Sequence, residues 1–347
     1  CGAFLVGSLR QGCPAGLDRE SFRDSSPAIG KGRSPTTQNK FSLTTDFLSF
    51  SMTHSPPNSS LALWVRGARL RTLPLAFGPV LLGSASAWNS GSFNSVTASL
   101  ALLVAVALQI GVNYANDYSD GVRGTDNHRV GPPRLTGSGA MEPFLVKRAA
   151  LLSFAVAVLA GAALILISQA WSLVLLGVLA IWAAWTYTGG TRPYGYRGLG
   201  ELVVFIFFGP VATAGTAYVQ AGFVPSDSLI LGVAMGFFAS AVLLINNLRD
   251  LSPDAEAGKR TLSVQIGPRA SKVLTTLLLV LPFLLLVLLV NMFPLALFVL
   301  PTAILPVFAG LLVWRGTSSS SMISALQITS ASSLVYSVAL SAAIIFQ

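Results

Sequence analysis

Residues 273–290 read VLTTLLLVLPFLLLVLLV, an apolar run without a single charged side chain. A helix that crosses a bilayer needs about 20 predominantly apolar residues, so this run predicts a transmembrane helix. Eight further apolar runs share this character, and none shows the alternation expected of a strand. The nine predicted spans are residues 73–88, 96–117, 147–168, 171–188, 199–220, 228–248, 270–290, 294–313 and 322–346. The sequence therefore predicts an all-α integral membrane protein, a bundle of nine transmembrane helices.

The composition excludes the main alternatives to a membrane protein. Only 10% of the 347 residues are charged, against about 25% in a soluble domain, so a water-facing surface would lack polar side chains. Disorder requires low hydrophobicity and high charge, whereas 53% of the chain is hydrophobic. The two cysteines, Cys1 and Cys13, are too few for a disulfide scaffold.

The scarce charges lie on one side of the predicted membrane. All sixteen Lys and Arg residues after residue 60 precede the first span or lie in, or next to, the loops that join even-numbered to odd-numbered spans. Because cytoplasmic loops carry an excess of Lys and Arg, we predict a cell-membrane protein whose N-terminus and charged loops are cytoplasmic and whose C-terminus is outside. The net charge of +9 is then a topology signal. No base-reading module is recognisable, so no nucleic-acid partner is expected.

The first sixty residues differ from the rest in composition. They are rich in Ser, Thr, Pro and Gly and contain no apolar run long enough for a signal-peptide core. We expect residues 1–60 to be a disordered or misassigned extension, with Met52 as the natural start. Residues 61–347 are then the nine-helix domain.

One polar cluster follows the second predicted span. Asn113, Asn116, Asp117 and Asp120 are spaced i, i+3, i+4 and i+7, so they share one face if the helix continues through them. Asp126 follows six residues later. Amide and carboxylate oxygens on one face suit Mg²⁺, which prefers oxygen ligands.

A second polar cluster follows the sixth span, which ends on the same side. Asn246, Asp250 and Asp254 repeat every four residues, with Asn247 beside the first of them. Pro253 is placed where it would interrupt the helix, which would put Asp254 in a turn. The basic pair Lys259 and Arg260 follows.

Two acidic clusters alone would repel each other. A divalent metal ion would neutralise the acids, and an anionic ligand would neutralise the metal ion and the nearby Lys and Arg residues. Mg²⁺ is commonly held by one or two carboxylates together with substrate phosphates. Lys and Arg side chains can bind the remaining phosphate oxygens. We therefore predict a diphosphate held between two metal-binding clusters at a membrane-embedded pocket.

Seven short strings extend the two clusters: NDYSD at 116–120, GTD at 124–126, RVGP at 129–132, YTGGTRP at 187–193, GYRG at 195–198, NNLRD at 246–250 and GKRTL at 258–262. In order and spacing, across roughly residues 64–346, these segments resemble the intramembrane aromatic prenyltransferases of the UbiA superfamily. More narrowly, they resemble its branch that acts on dihydroxynaphthoate.

The resemblance implies a fold and a reaction. The fold is a helical bundle around a central apolar cavity that is capped on the cytoplasmic side. In the implied reaction an allylic polyprenyl diphosphate transfers its prenyl group to 1,4-dihydroxy-2-naphthoate. Diphosphate and CO₂ leave, and demethylmenaquinone forms, as in menaquinone (vitamin K2) biosynthesis. The cofactor would be Mg²⁺, and membrane lipid would surround the enzyme.

The resemblance also implies roles for individual residues. The metal would be held by a set of six residues: Asn116, Asp117, Asp120, Asp126, Asp250 and Asp254. Four of these carboxylates are also expected to act in catalysis, together with an aromatic side chain at the cation site: Asp117, Asp120, Asp250, Asp254 and Tyr187. Substrate contacts are expected from a mainly basic and amide set: Arg69, Asn113, Arg129, Arg134, Arg192, Asn246, Asn247, Lys259 and Arg260.

Several roles stay open at this point. Arg129 and Arg134 are placed to bind either the diphosphate or the naphthoate carboxylate, and Arg69 to reach the aromatic acceptor. Lys259 and Arg260 are either ligands or topology anchors. Rival functions are a related prenyltransferase with 4-hydroxybenzoate or homogentisate as acceptor, or with a phytyl donor, and a cation-coupled transporter. A transporter would favour charges at mid-depth and internal repeats. The sequence indicates no oligomeric state.

Overall fold

The computed structural model describes residues 60–126, 131–316 and 318–347, and these residues form helices joined by short loops. The helices are α1 Ser60–Ala68, α2 Pro74–Asn89, α3 Ser95–Val122, α4 Pro143–Ser168, α5 Leu173–Thr186, α6 Gly200–Ile206, α7 Ala212–Ala221, α8 Ser226–Arg249, α9 Leu251–Glu256, α10 Leu262–Val290, α11 Ile304–Arg315 and α12 Ser319–Ile345. A π-helical turn, Phe207–Val211, joins α6 to α7, and a 3₁₀ segment, Pro294–Ala303, leads into α11. The all-helical prediction is confirmed for this part of the chain.

Seven helical segments of the described chain are long and apolar enough to cross a membrane. They are Ser95–Val122, Pro143–Ser168, Gly200–Ala221, Ser226–Arg249, Leu262–Val290, Pro294–Arg315 and Ser319–Ile345. The remaining two predicted spans, 73–88 and 171–188, fall on α2 and α5, which have only 16 and 14 residues. The count of nine crossings therefore stays a prediction, and the predicted extension at residues 1–60 lies almost wholly outside the described residues.

Helix α8 is the centre of the bundle. Of its most apolar stretch, 72% is buried inside the protein, compared with 28% for α3 and α4. It packs against α2, α6, α10 and α12. A helix that is apolar all round is expected to be enclosed by others, so α8 organises the core while α3 and α4 present much of their apolar surface outward.

Close packing of α8 against the α6–α7 segment depends on glycine. Gly232 and Gly236 form a small-xxx-small pair that lets helix backbones approach closely in a membrane. A Cβ at Gly236 would lie 2.7 Å from the Phe205 carbonyl oxygen, and a Cβ at Gly232 would lie 2.7 Å from the Pro210 Cα. The α6–α7 segment bends at this crossing, because Gly209 has the non-helical angles φ −107 and ψ −108 and precedes Pro210.

The helix boundaries decide how the two polar clusters are presented. Helix α3 runs unbroken to Val122, so it includes the whole stretch from Asn113 to Asp120. By contrast α8 ends at Arg249, and Asp250 has non-helical angles before the short helix α9 begins. The single continuous face considered for Asn246, Asp250 and Asp254 is therefore interrupted, at Asp250 rather than at Pro253.

The glycine crossing gives a stability prediction. We expect Gly236→Ala to lower the free energy of unfolding by about 1–3 kcal/mol, as overpacking does, because its new methyl group meets the Phe205 backbone. Gly177→Ala is the matched control, since a Cβ there meets nothing within 4 Å. Thermal unfolding in detergent measures both variants. Equal melting temperatures for the two would contradict the close crossing.

Candidate functional site

Asp120 lies at the centre of a buried polar site at the end of α3. Its side chain is only 2% exposed. One carboxylate oxygen accepts a 2.8 Å hydrogen bond from the Tyr196 hydroxyl. The other lies 3.7 Å from Arg134 Nη2 and 3.6 Å from Lys259 Nζ. A buried carboxylate is stable only when paired and hydrogen-bonded, and these three groups provide both.

Lys259 joins the two predicted clusters. Its Nζ lies 3.6 Å from an oxygen of Asp120 on α3 and 3.6 Å from an oxygen of Asp254 on α9. It also lies 5.2 Å from the centroid of the Tyr196 ring, within range of a cation–π contact. The side chain is buried. The structure thus brings together carboxylates that are 134 positions apart in the sequence, around one ammonium group.

Arg249 holds the other carboxylate of the second cluster. Its Nε and Nη2 donate to the two oxygens of Asp250 at 2.8 and 2.6 Å, and Nη2 also donates to Asn246 Oδ1 at 2.9 Å. This two-pronged geometry is the strong form of a carboxylate pair. The spacing of the polar residues gave no role to Arg249, although its position beside Asp250 was a usable signal.

Tyr196 is another site residue that the sequence patterns did not indicate. It belongs to the 3₁₀ turn Tyr194–Arg197, and its hydroxyl also lies 3.0 Å from Thr125 Oγ1. Burial, together with the nearby Asp120 carboxylate, raises the pKa of this phenol above its ordinary value. The hydroxyl is therefore neutral at physiological pH and donates to Asp120.

The structure places the remaining residues of the first cluster in different surroundings. Asn116 Oδ1 accepts a 2.9 Å hydrogen bond from Thr188 Oγ1, and Asn113 donates to the Ala68 carbonyl. Asp117 accepts from two backbone amides of the loop that follows α3. Asp126 lies 3.7 Å from Arg134 Nε. Asn116 and Asn113 line the cavity described below, as Asp120 does.

Three expected substrate contacts lie away from this cavity. Asn247 is buried and donates to Glu201 Oε1 at 2.8 Å, so it holds α8 to α6. Arg192 and Arg260 are exposed and do not line the cavity. Their predicted contacts with substrate stay predictions. Arg129 lies outside the described residues.

An apolar cavity of about 650 Å³ extends from the polar site into the bundle. At the polar end it is lined by Asp120, Arg134, Asn246 and Lys259, with Tyr187 and Arg69 nearby along the wall. Its walls come mainly from helices α2 to α8. Away from the polar end they reach Leu166 near the end of α4, Trp171 in the loop before α5 and Val219 near the end of α7. The apolar lining suits a long hydrocarbon chain whose charged group stays at the polar end.

The donor set fits Mg²⁺ by its chemistry. The groups that would hold the ion are oxygen donors only. Asn116 and Asp120 line the cavity, whereas Asp250 and Asp254 do not line it, and Asp254 contacts the cavity-lining Lys259. Asp120 and Asp254 are already arranged around a positive charge, that of Lys259. Within residues 60–126, 131–316 and 318–347, however, no group of three or more His, Cys, Asp or Glu side chains is gathered closely enough to hold a metal ion.

Comparisons with known proteins agree on one family. The model of the UbiA prenyltransferase family matches residues 76–331. A Mycobacterium tuberculosis protein named 1,4-dihydroxy-2-naphthoate octaprenyltransferase is 53% identical over 217 residues, covering 62% of this chain and 74% of that protein. The Escherichia coli protein of the same name is 42% identical, covering 59% and 68%. The solved apo structure of a UbiA homolog from Aeropyrum pernix K1 superposes with a TM-score of 0.61 at 17% identity, covering 76% of this chain and 96% of that one.

The position of Lys259 between two carboxylates gives a prediction about divalent ions. We expect Lys259→Met to bind Mn²⁺, a probe for Mg²⁺, about tenfold more tightly in the absence of diphosphate, because roughly 1.4 kcal/mol of competing charge interaction is removed. Electron paramagnetic resonance of the purified protein in detergent measures free Mn²⁺. Arg260→Met removes the same charge from the exposed neighbouring position and serves as the control. Mn²⁺ affinity equal to or weaker than that of the control would contradict this placement.

Proposed function

The chain belongs to the UbiA prenyltransferase family, and from this premise we propose that it transfers a polyprenyl group from an allylic polyprenyl diphosphate to 1,4-dihydroxy-2-naphthoate. Diphosphate and CO₂ are released and demethylmenaquinone is formed in its reduced state, the quinol, because the transfer involves no oxidant. The proposal is supported by relatives of 53% and 42% identity that carry the name of this activity. The enzyme is a multi-pass membrane protein that acts in menaquinone biosynthesis.

One observation carries the proposal. Two polar clusters, from the ends of α3 and α8–α9, meet at the polar end of a long apolar cavity. Lys259 lies between the two clusters, and Arg134 lies beside the first of them. This arrangement matches the two halves of an allylic polyprenyl diphosphate, a compact polyanion joined to a hydrocarbon chain. A cation-coupled transporter would not require basic side chains among its acidic ligands.

Two basic side chains bind the diphosphate in this proposal. Arg134 and Lys259 line the polar end of the cavity and are both buried. In a water-poor site their charges act strongly on the leaving diphosphate. Their present partners are the carboxylates of Asp120, Asp126 and Asp254, from which they turn towards phosphate oxygens.

The acidic and amide side chains hold the metal in this proposal. Asn116, Asp120, Asp250 and Asp254 are the expected ligands of Mg²⁺. When bound, Mg²⁺ supplies positive charge that stabilises the departing diphosphate. Tyr196 and Arg249 keep Asp120 and Asp250 in place through their hydrogen bonds.

The cavity protects the reactive carbon of the donor. Once the carbon–oxygen bond to diphosphate breaks, an allylic cation must meet the electron-rich naphthoate ring before it meets water. Phe207, Phe208 and Val211 are part of the apolar wall, and Tyr187 lies where an aromatic ring can favour the cation. Arg69 lines the same cavity and is positioned to attract the carboxylate of the acceptor.

Membrane placement follows the same proposal. We assign crossings to α2 and α5 as well, which gives nine, because both are apolar and are continuous with the cavity wall. The polar end of the cavity faces the cytoplasm, since the adjoining loops carry the basic residues. Residues 1–60 are an extension outside the catalytic domain 61–347.

Loss of either metal-binding carboxylate should abolish activity. We expect Asp120→Ala and Asp250→Ala to lower prenyl transfer at least about a hundredfold, as removal of a preorganised charge-stabilising group does. Activity is measured in membranes supplied with Mg²⁺ after matching protein amounts. Glu256→Ala is the control, because this acid is exposed in the same region. Near-normal turnover in both Asp variants would exclude the two-cluster site.

The substrate assignment is tested with purified enzyme in proteoliposomes. A ladder of allylic diphosphates, including phytyl diphosphate, is offered with 1,4-dihydroxy-2-naphthoate, 4-hydroxybenzoate or homogentisate, and products are identified by mass spectrometry. Product with dihydroxynaphthoate, accompanied by loss of CO₂, is the expected result. Preferential prenylation of 4-hydroxybenzoate or homogentisate would show that the acceptor is wrongly assigned. If no allylic diphosphate were consumed, the proposed prenyl transfer itself would be overturned.

A further inference from the structure

The carboxylate of Asp117 is directed at a loop and not at the cavity. Its Oδ2 accepts a hydrogen bond from the Leu135 backbone N–H and its Oδ1 accepts one from the Thr136 backbone N–H, both at 2.9 Å. The residue is buried. Its neighbours on α3, Asn116 and Asp120, line the cavity, whereas Asp117 does not. Within one turn of α3, the polar residues thus divide into two groups with different partners.

The loop held by Asp117 fits closely against the end of α3. A Cβ at Gly121 would lie 2.5 Å from the Thr136 Cβ, and a Cβ at Gly137 would lie 2.5 Å from the Asp126 Cβ. Leu135 is 1% exposed and belongs to the apolar cluster between α1, α3 and α4. The backbone at residues 135–137 is therefore fixed by two hydrogen bonds, one buried leucine and two glycine contacts.

This loop places Arg134 in the polar site. The arginine immediately precedes the two amides bound by Asp117, it is 7% exposed and it lines the polar end of the cavity. Its Nη2 lies 3.7 Å from Asp120 and its Nε lies 3.7 Å from Asp126. Its buried Nη1 makes no hydrogen bond within the described chain. Because a buried unsatisfied donor is costly, this atom marks a place for an anionic ligand.

We propose that Asp117 is a positioning residue, which fixes the 134–137 loop so that the guanidinium of Arg134 faces the diphosphate, and that Asp117 does not itself hold the metal. This rests on the proposed function insofar as Arg134 binds the diphosphate. The negative charge of Asp117 strengthens both hydrogen bonds, since charge-assisted hydrogen bonds are the stronger kind. Although Asp117 directly follows Asn116, consecutive side chains of an α-helix point about 100° apart, and the two residues have different partners.

Two readouts that do not depend on turnover separate a positioning role from a metal-binding role. Amide hydrogen exchange in detergent follows the peptide that contains Leu135 and Thr136, and electron paramagnetic resonance follows Mn²⁺ binding without diphosphate. We expect Asp117→Asn to speed exchange of that peptide about tenfold or more, because one charged hydrogen bond is lost. Its Mn²⁺ affinity should fall by a smaller factor than that of Asp250→Asn, since the buried carboxylate of Asp117 contacts the loop and not the ion.

Asp250→Asn is the matched control, with the same chemical change at an expected metal ligand. It should weaken Mn²⁺ binding and change exchange of the peptide that contains Leu135 and Thr136 much less than Asp117→Asn does, because the backbone amides of those two residues donate to Asp117. The proposal is overturned if Asp117→Asn leaves exchange of that peptide unaltered, or if it weakens Mn²⁺ binding as much as Asp250→Asn does.

Kinetics test whether Asp117 acts through Arg134. Asp117→Asn should raise KM for the allylic diphosphate about tenfold. In an Arg134→Met background the same change should alter KM by less than about twofold, because residues that act as one unit are not additive. Full additivity of the two effects would overturn the proposal.

A second variant disturbs the loop without touching the carboxylate of Asp117. In Gly137→Ala the new methyl group meets Asp126, so exchange of the loop and KM for the allylic diphosphate should both rise while Mn²⁺ affinity is retained. Faster exchange with an unchanged KM would overturn the proposal. If the unaltered enzyme consumed no allylic diphosphate, the proposed function would fail, and the exchange and Mn²⁺ measurements would still decide the anchoring role of Asp117.

Discussion

The arrangement of this protein depends on one buried ammonium group shared by two carboxylates. Lys259 Nζ lies 3.6 Å from Asp120 on α3 and 3.6 Å from Asp254 on α9. Burying either carboxylate without a cation would be strongly unfavourable, so the ends of these helices are held at the same place. Under the proposed function, Lys259 would turn towards the diphosphate, and Mg²⁺ would then balance the charge of these carboxylates.

The packing of the other helices holds the elements that carry the Lys259 contacts in place. Helix α8 is enclosed by its neighbours and approaches the α6–α7 segment closely through Gly232 and Gly236. It therefore presents Asn246 and Asp250 from a rigid base, while Asn247 on its other side binds Glu201. Outer helices such as α4 and α5 carry exposed apolar side chains, as expected for surfaces that face lipid hydrocarbon.

The sequence predicted the first cluster better than the second, for a physical reason. Asn116 and Asp120 lie in one unbroken helix, so the helical period alone places both on the cavity side. Beyond Arg249 the chain leaves the helix at Asp250, and periodicity no longer determines direction. Arg192 and Arg260 illustrate the same limit, because a basic residue in a loop gives no local signal of whether its side chain turns inward.

The sequence by itself determined an all-helical membrane protein, the grouping of its charges at one end and the two polar clusters, because apolar length, charge asymmetry and helical period are local properties of the chain. Only the tertiary structure decided that Lys259 lies between the clusters, that Tyr196 binds Asp120 and that Asp117 faces a loop and not the cavity. These contacts join residues distant in the sequence, and their partners are set by how the helix ends pack together.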